Sequence, residues 1–170
     1  MLKMRFSCMY QTSEGRQVIK IRSSGLSIVW GNDSRYWRLP NPNQMDMSAE
    51  LLQVCWLEVT TCATTIKSGK KCQFGFSVSL TSDAFGWSGC PVYVMAKIGR
   101  KGKYTWKKVD LLGAAGRDKK EPFEIPDSFV LEIPSDVSPS EKELHFGLYE
   151  VWSGKWKGGL KIHHAFVREQ

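Results

Sequence analysis

The sequence predicts an all-β protein that folds as a single antiparallel β-sandwich of jelly-roll type. Short runs of alternating apolar and polar residues recur along the chain, and clusters of Gly, Pro, Asn and Ser separate them. No apolar pattern with helical spacing extends beyond about two turns. The 170 residues are enough for one domain with a sizeable core and too few for two comfortable ones.

The clearest predicted strand covers residues 72–80, where large apolar residues alternate with small and polar ones. This alternation predicts one face in the core and one face in solvent. Residues 54–59 are apolar on both faces apart from Glu58, which predicts a central buried strand and places Trp56 in the core. The other predicted strands lie at 18–21, 26–30, 91–98, 104–109, 129–133, 144–149 and 160–166.

The N-terminal part of the chain is assigned to the same domain as the rest. Residues 1–25 are predicted to form an arm and the first strand, and residues 26–170 are predicted to form the body of the sandwich. Within the body, Ser48 is a candidate cap for one helical turn at 48–52. We expect the first and last strands to meet, which brings the two ends of the chain together.

Charge and cysteine content restrict the classes of partner and cofactor. The formal net charge of +7 is compatible with an anionic partner, although no run of five or six basic residues is present. The cysteines are odd in number, widely spaced and without a CxxC pair, which favours reduced thiols over a disulfide framework or a structural zinc site. They are Cys8, Cys55, Cys62, Cys72 and Cys90.

The sequence also gives an expectation about location. No apolar stretch approaches the roughly 18 to 20 residues that a membrane-spanning helix needs. The first ten residues lack the apolar run of a secretory signal. We therefore expect a cytoplasmic protein without a signal peptide and without membrane insertion.

No catalytic motif is present, and we expect neither enzymatic activity nor a cofactor or metal. The chain has no GxSxG, HExxH or P-loop pattern. His163 and His164 are adjacent on a predicted strand, so their side chains are expected on opposite faces and unable to bind one metal together. Acidic residues such as Glu141, Glu143 and Glu150 could in principle form a glycosidase pair, but solvated acids balancing Lys142 and Lys155 are the simpler interpretation.

Seven tryptophans are more than a core of this size needs, and several of them cluster with turn residues and cations. In residues 26–38 an apolar run leads into the turn-forming sequence Gly-Asn-Asp-Ser, and Tyr36 and Trp37 follow. Residues 150–160 repeat the combination of tryptophan and lysine. Because exposed indoles stack on the apolar faces of sugars, the two segments predict one sugar site assembled from the two ends of the domain.

Three segments resemble the motifs of one plant family, the phloem lectins or phloem protein 2, to which the tobacco jasmonate-induced lectin also belongs. Residues 26–37 are similar to the family's opening motif, and residues 49–59 to its second motif. Residues 156–160 are similar to its third motif, Trp-Lys-x-Gly-Leu. The motifs occur in family order, whereas the usual Asp-Gly-Trp-x-Glu segment in the middle of the family is poorly matched.

The resemblance implies a non-enzymatic lectin for N-acetylglucosamine oligomers, chitin fragments and N-glycan cores. It implies a β-sandwich homodimer without a metal, in the phloem-exudate branch of the family. It also implies residence in cytosol and nucleus or in phloem sap, and a role in defence and wound response.

The resemblance also implies site residues. Trp30 and Trp37 match the motif tryptophans, of which one is expected to stack on the sugar, although a tryptophan such as Trp30 on an alternating strand is equally often in the core. Glu143 and Glu150 match family acids that accept a hydroxyl or the acetamide N–H. The complete predicted site is Trp30, Asn32, Ser34, Trp37, Arg38, Glu143, Glu150, Trp152 and Lys157.

Two other functions remain open at this point. The net charge of +7 and the aromatics interleaved with Arg and Lys are suited to single-stranded RNA. A structural protein of phloem filaments, cross-linked through surface cysteines such as Cys8 or Cys90, is the third possibility.

Overall fold

Two antiparallel sheets face each other in the computed structural model, which describes residues 8–13, 15–41, 43, 47–64 and 69–170. The strands are β1 (Cys8–Ser13), β2 (Arg16–Arg22), β3 (Ser27–Ile28), β4 (Trp37–Arg38), β5 (Ala49–Leu51), β6 (Leu57–Ala63), β7 (Lys71–Phe85), β8 (Val92–Ile98), β9 (Thr105–Val109), β10 (Phe123–Ile125), β11 (Val130–Glu132), β12 (Leu144–Glu150) and β13 (Gly158–Glu169). Helical structure in the described residues is limited to the short segments Ser23–Gly25, Leu111–Ala114 and Pro139–Lys142. The predicted all-β sandwich is confirmed.

Sheet A is organised around β13. One edge of β13 pairs with β2 and, further along, with β5, while its other edge pairs with β7. The hairpin partner β1 extends the sheet beyond β2, β4 extends it beyond β5, and β10 and β11 pair with β7. The predicted meeting of the first and last strands is confirmed in the pairing of β2 with β13.

Sheet B has the order β3-β6-β12-β8-β9. Alternation on β12 places Leu144, Phe146 and Leu148 in the core and leaves His145 and Tyr149 on the outer face, as the sequence pattern predicts. Every second side chain of the neighbouring strands therefore also points away from the core.

The strand β7 is more buried than its alternation predicts. Its apolar face, from Cys72 to Leu80, lies in the core as expected. Gly75, Ser77 and Ser79 on the other face are also buried. A Cβ atom at Gly75 would lie 2.2 Å from the carbonyl oxygen of Ile125, so no side chain fits on the outer face at this position. Ser79 Oγ lies 2.8 Å from His163 Nε2 on the same face. The solvated face predicted for residues 72–80 is therefore wrong at Gly75, Ser77 and Ser79.

Two local predictions around residues 48–59 are also wrong. Residues 49–51 form β5 and not a helical turn, because this segment pairs with β13 on one side and with β4 on the other. The buried strand predicted from residue 54 begins only at Leu57. Val54 forms an isolated bridge with Lys157, and Trp56 lies in a loop with its ring exposed.

A β-bulge at His163 changes the expected orientation of two histidines. Ile162 is opposite Val78 and His164 is opposite Ser77, so His163 is an extra residue in the strand. His163 Nε2 lies 2.8 Å from Ser79 Oγ, which is on the same outer face as Ser77. The two histidines therefore share one face, and the expectation that they point to opposite faces is wrong.

None of the helices in the described part of the chain combines the length and the apolar character that a membrane span requires.

Candidate functional site

The first and last motif segments meet in one apolar cleft, which we call the motif cleft. It encloses about 210 Å³ and is lined by Trp30, Tyr36, Val54, Cys55, Trp56 and Trp156. Its three tryptophans are about half exposed: Trp30 is 54% exposed, Trp56 is 44% exposed and Trp156 is 51% exposed. The ring of Tyr36 lies between two of them, with its centroid 5.5 Å from that of Trp30 and 6.3 Å from that of Trp156.

Backbone hydrogen bonds hold the three segments of the cleft together. The carbonyl of Tyr36 accepts from the amides of Leu52 and Gln53, at 2.8 and 3.3 Å. Val54 and Lys157 exchange two backbone hydrogen bonds of 3.0 Å each. Because these bonds involve main-chain atoms, the relative positions of the cleft walls depend on the path of the backbone and not on side-chain rotamers.

Trp30 lies in a turn and in an unusual backbone conformation. Its φ is +67°, in the left-handed region that residues other than Gly, Asn and Asp rarely adopt. The amide of Gly31 donates to the carbonyl of Ile28 at 3.0 Å, and that of Asp33 donates to the carbonyl of Trp30 at 3.1 Å. The turn ends the short strand β3 before Trp30 and directs the indole into the motif cleft.

The rest of the turn is fixed by an ion pair. Asp33 accepts from the Arg35 backbone amide at 3.0 Å and from Arg35 Nη2 at 2.7 Å. These hydrogen bonds lower the pKa of Asp33 to about 2. The Arg35 guanidinium carbon lies 5.1 Å from the centroid of the Tyr36 ring, a cation–π distance. The ion pair thus supports the aromatic residue in the middle of the cleft.

A buried ion pair supports the other wall. Lys157 is fully buried, and its ammonium donates to Glu150 Oε2, to the Lys155 carbonyl at 2.9 Å and to the Cys55 carbonyl at 3.5 Å. Ser153 donates to the same carboxylate from its amide and its hydroxyl, at 3.1 and 2.9 Å. Burial raises the pKa of Glu150, but the hydrogen bonds from Lys157 and Ser153 outweigh it and leave the pKa below its ordinary value.

Glycines allow the loops under Trp156 to approach closely. A Cβ atom at Gly158 would lie 2.0 Å from the carbonyl oxygen of Leu52, and one at Gly86 would lie 2.3 Å from that of Trp156. The indole of Trp87 is buried beneath and donates to the carbonyl of Gly158 at 2.9 Å. Larger residues at these glycines would separate the two walls of the cleft.

The sequence profile of phloem protein 2 matches residues 16–169, which include all the residues of the motif cleft. The chain belongs to the phloem protein 2 family. The three segments that resemble motifs of this family are thus the segments whose backbones are joined at the cleft.

Curated relatives of this phloem protein 2 domain agree with the assignment. The chain is 44% identical to phloem protein 2-like A9 of Arabidopsis thaliana over 153 residues, which cover 86% of the chain and 84% of that protein. It is 39% identical to a lectin of Luffa acutangula over 80 residues, covering 43% of the chain and 37% of the lectin.

Solved structures with a similar chain path share little sequence with this phloem protein 2 domain. A CBM4 structure has a TM-score of 0.47 at 11% identity, and the match covers 85% of this chain and 86% of the CBM4 chain. The tandem CBM22 domain from Paenibacillus barcinonensis Xyn10C has a TM-score of 0.48 at 8% identity, and the match covers 95% of this chain and 44% of the CBM22 chain.

The predicted site residues of the opening motif fall in three places. Trp30 lines the motif cleft, and Asn32 and Ser34 are exposed in an adjoining shallow depression that also includes Trp30. Arg38 is exposed and pairs with Glu50, with 2.6 Å between Nη1 and Oε2. The prediction that Trp37 contacts the sugar is wrong, because this residue belongs to the core.

Trp37 is only 2% exposed and cannot offer a ring face to a sugar in this conformation. In the pairing of β4 with β5, Trp37 lies opposite Leu51, whose side chain is fully buried. Directly opposed residues share a face of the sheet, so this register directs Trp37 into the core. The neighbouring Tyr36 consequently faces the cleft.

The predicted acids of the late strand do not form one site. Glu143 immediately precedes β12 and Glu150 is its last residue, so seven steps of extended backbone separate them by roughly 23 Å. Glu150 is buried with Lys157 beneath the cleft, so both support the walls and neither is free for a hydroxyl. The prediction that Glu143 joins Glu150 at the sugar is therefore wrong on geometry, and the direct contacts predicted for Glu150 and Lys157 are wrong because of burial.

Trp56, Trp156 and Tyr36 line the cleft but are absent from the predicted set. The apolar neighbours of Trp56 predict a core position, but a loop interrupts the expected strand at this residue. Trp156 begins the third motif, and this position is a signal for it. Tyr36 belongs to the opening aromatic cluster, where strand register decides whether it or Trp37 is exposed.

The remaining predicted residue, Trp152, lies on a second aromatic surface, which we call the aromatic row. Its indole is 61% exposed and packs edge-on against Tyr93, with a centroid distance of 5.0 Å. On the other side of Tyr93, at 5.9 Å, is Trp106, which is 60% exposed. These residues and Met95 line a depression of about 350 Å³ on the outer face of sheet B.

Proposed function

We propose that this protein is a non-enzymatic lectin that binds N-acetylglucosamine oligomers, including chitooligosaccharides and N-glycan cores, in the motif cleft. The observation that carries the proposal is the convergence of three half-exposed indoles and Tyr36 on one apolar cleft. The relationship to a lectin of Luffa acutangula supports a sugar as the ligand.

The chemistry of the cleft is suited to a neutral sugar. A pyranose has an apolar C–H face that stacks on an indole, and the acetamido methyl group needs a small apolar notch. The residues that line the cleft are all uncharged, which gives an anionic ligand no partner there. Asn32 and Ser34 in the adjoining depression provide polar groups for the ring hydroxyls.

The affinity of a single shallow site should be low. We expect a dissociation constant in the micromolar to millimolar range and, if two copies engage one glycan, a gain in avidity of about a hundredfold or more. The resemblance to phloem lectins adds three predictions to this proposal. They are a homodimer, residence in cytosol and nucleus or in phloem sap, and a role in plant defence.

Calorimetric titration with chitotriose tests the proposal. Wild type should release heat on binding, and Trp156→Ala should lose it, because the variant removes one wall of the cleft. Trp106→Ala is the matched control, since it removes an equally exposed indole from the aromatic row and should bind as wild type does. Circular dichroism confirms that each variant is folded. Absence of binding by folded wild type from chitobiose to chitohexaose would overturn the proposal.

The outer face of sheet B favours single-stranded RNA as a second candidate ligand. On β9, Trp106 is opposite Met95 and Lys108 is opposite Tyr93, so an indole and an ammonium share this face. The ammonium of Lys97 lies 4.9 Å from the ring centroid of Tyr104 on the same hairpin. Stacking rings with cations beside them are the usual platform for single strands.

Salt dependence separates the two ligands. RNA affinity should fall steeply as the salt concentration rises. In a plot of the logarithm of the binding constant against the logarithm of the salt concentration, each phosphate contact should contribute about −0.7 to the slope. Trp106→Ala and Lys108→Gln should weaken RNA binding, and Lys108→Gln should also reduce the slope. Chitotriose binding should be insensitive to salt. Oligonucleotide binding that is unaffected by both variants would exclude the aromatic row as the RNA site.

A further inference from the structure

Three side chains with metal-binding atoms come together on the outer face of sheet B, away from the residues that line the motif cleft. Cys62 on β6 lies directly opposite His145 on β12. Glu143 precedes His145 by two residues in extended backbone and therefore points to the same face. Among the described residues, this is the group of Cys, His and acidic side chains whose ligand atoms lie within 4.8 Å of one another.

The distances between these atoms are close to those of a zinc site. Zinc bonds of about 2.0–2.3 Å in tetrahedral geometry place two ligand atoms about 3.3–3.6 Å apart. His145 Nε2 lies 3.4 Å from Glu143 Oε2, and Cys62 Sγ lies 3.9 Å from the same oxygen. Small side-chain movements therefore bring all three atoms to bonding distance from one ion.

A second observation concerns the imidazole alone. His145 Nε2 is buried and forms no aligned hydrogen bond, although Glu143 Oε2 lies 3.4 Å away. Buried polar atoms nearly always have an aligned partner, so a ring nitrogen that faces a carboxylate and a thiol without one requires an explanation. A bound cation supplies one, because it accepts the nitrogen lone pair and lies between the two other groups.

We propose that Cys62, Glu143 and His145 bind one divalent transition-metal ion of borderline softness, such as Zn²⁺. A thiolate, an imidazole and a carboxylate are a ligand set that zinc accepts. Three protein ligands leave one position for water, and a depression of about 390 Å³ lined by Cys62 and His145 provides the room. Binding replaces the thiol proton of Cys62, so one proton is released to solvent for each ion bound.

Neighbouring charges limit the affinity. Lys97 and Arg100 act electrostatically on His145 and oppose the approach of a cation. The thiolate and the carboxylate together supply two negative charges against them. We therefore expect binding in the micromolar range and not the much tighter binding of closed structural zinc sites.

The test is a titration of the intact, metal-free protein with Zn²⁺, followed by the absorbance of the Co²⁺-substituted protein. Wild type should bind one Zn²⁺ per chain and show the charge-transfer band of a Co²⁺–thiolate bond. Cys62→Ser should lose the band, and Cys62→Ser, His145→Gln and Glu143→Gln should each weaken Zn²⁺ binding by at least about tenfold, since even residues behind a metal ligand contribute that much.

Cys90→Ser and His164→Gln are the matched controls, because they remove a thiol and an imidazole elsewhere in the described structure. Both should bind Zn²⁺ as wild type does. Circular dichroism identifies any variant that fails to fold, and the other two ligand variants then decide the result. The proposal is overturned if folded wild type binds no Zn²⁺, or if the ligand variants bind as tightly as the controls.

Discussion

The backbone of Trp30 connects strain with function at the level of a single residue. A tryptophan with φ of +67° is disfavoured by roughly 1–2 kcal/mol relative to the usual conformations. Strained residues persist where the surrounding structure holds them, and they concentrate at binding sites. Here the turn from Ile28 to Asp33 holds the strain and presents the indole to the motif cleft.

Comparison of two variants measures this strain. Trp30→Ala and Trp30→Gly both remove the indole and should both lose chitotriose binding. Only glycine adopts positive φ without a steric penalty, so Trp30→Gly should be the more stable of the two by about 1 kcal/mol. Urea denaturation provides the measurement. Equal stabilities would show that the left-handed conformation is not retained in solution.

The buried pair of Lys157 and Glu150 should be important for stability. Lys157→Met leaves a buried carboxylate without its ammonium partner and should cost about 3–5 kcal/mol in the free energy of unfolding. The double variant Lys157→Met, Glu150→Leu removes both charges and should recover most of that loss. If the double variant is no more stable than Lys157→Met, the two side chains do not interact as described.

The same carboxylate predicts a pH dependence. The pKa of Glu150 is lower in the folded protein than its ordinary value of 4.5, so its contribution to stability is complete above pH 4.5 and is lost as the pH falls through the folded pKa. Wild type should lose stability more steeply below pH 4.5 than Glu150→Gln does. Parallel curves of unfolding free energy against pH would contradict the assignment.

Strand register decides which residues of a motif are exposed. Alternation in the sequence correctly predicts the core faces of β7 and β12, because successive side chains of a strand point to opposite faces of the sheet. It does not reveal where a short strand starts or which residue it opposes. The sequence therefore predicts Trp37 in the site, whereas its pairing with Leu51 directs it into the core. It predicts Trp56 in the core, whereas a loop exposes it.

Loops that pack against each other require glycine at the contact. Gly158→Ala should separate the segment of Trp156 from that of Leu52, cost roughly 3 kcal/mol in stability and weaken chitotriose binding. Gly89→Ala is the control, since a Cβ atom there contacts nothing within 4 Å and only its φ of +66° is unfavourable. The control should cost about 1 kcal/mol and leave binding unchanged. Equal effects of the two substitutions would exclude the steric explanation.

The cysteine side chains that the structure describes form no disulfide with one another. Cys55, Cys62, Cys72 and Cys90 are free, and Cys90 is buried, so its assignment as a surface cysteine is wrong. The side chain of Cys8 lies outside the described residues. The filament hypothesis therefore has no support from Cys90.

Stability should accordingly be independent of redox conditions. The midpoint of guanidinium unfolding should agree within error in the presence and absence of a reducing agent. A lower midpoint under reducing conditions would reveal a stabilising disulfide and would revive the cross-linking hypothesis.

The sequence alone was sufficient for the fold class and for the family, and only partly sufficient for the site. Local alternation and three ordered motifs identify a sandwich, whereas the site depends on contacts between distant segments. The roughly 23 Å between Glu143 and Glu150 follows from strand geometry only once the extended segment that joins them, Glu143 followed by β12, is known. Both segments predicted for the site contribute residues to the motif cleft, but Trp30 is the one member of the predicted set among the residues that line it.

The position of β13 has a consequence for how the protein is made. During synthesis, β2, β5 and β7 emerge long before the strand that pairs with all three of them. Sheet A therefore remains incomplete until residues 158–169 have left the ribosome, and the cleft gains its Trp156 wall at nearly the same time. Since such distant pairings form slowly and leave apolar strands uncovered meanwhile, we expect nascent chains of this protein to be prone to aggregation until β13 has left the ribosome.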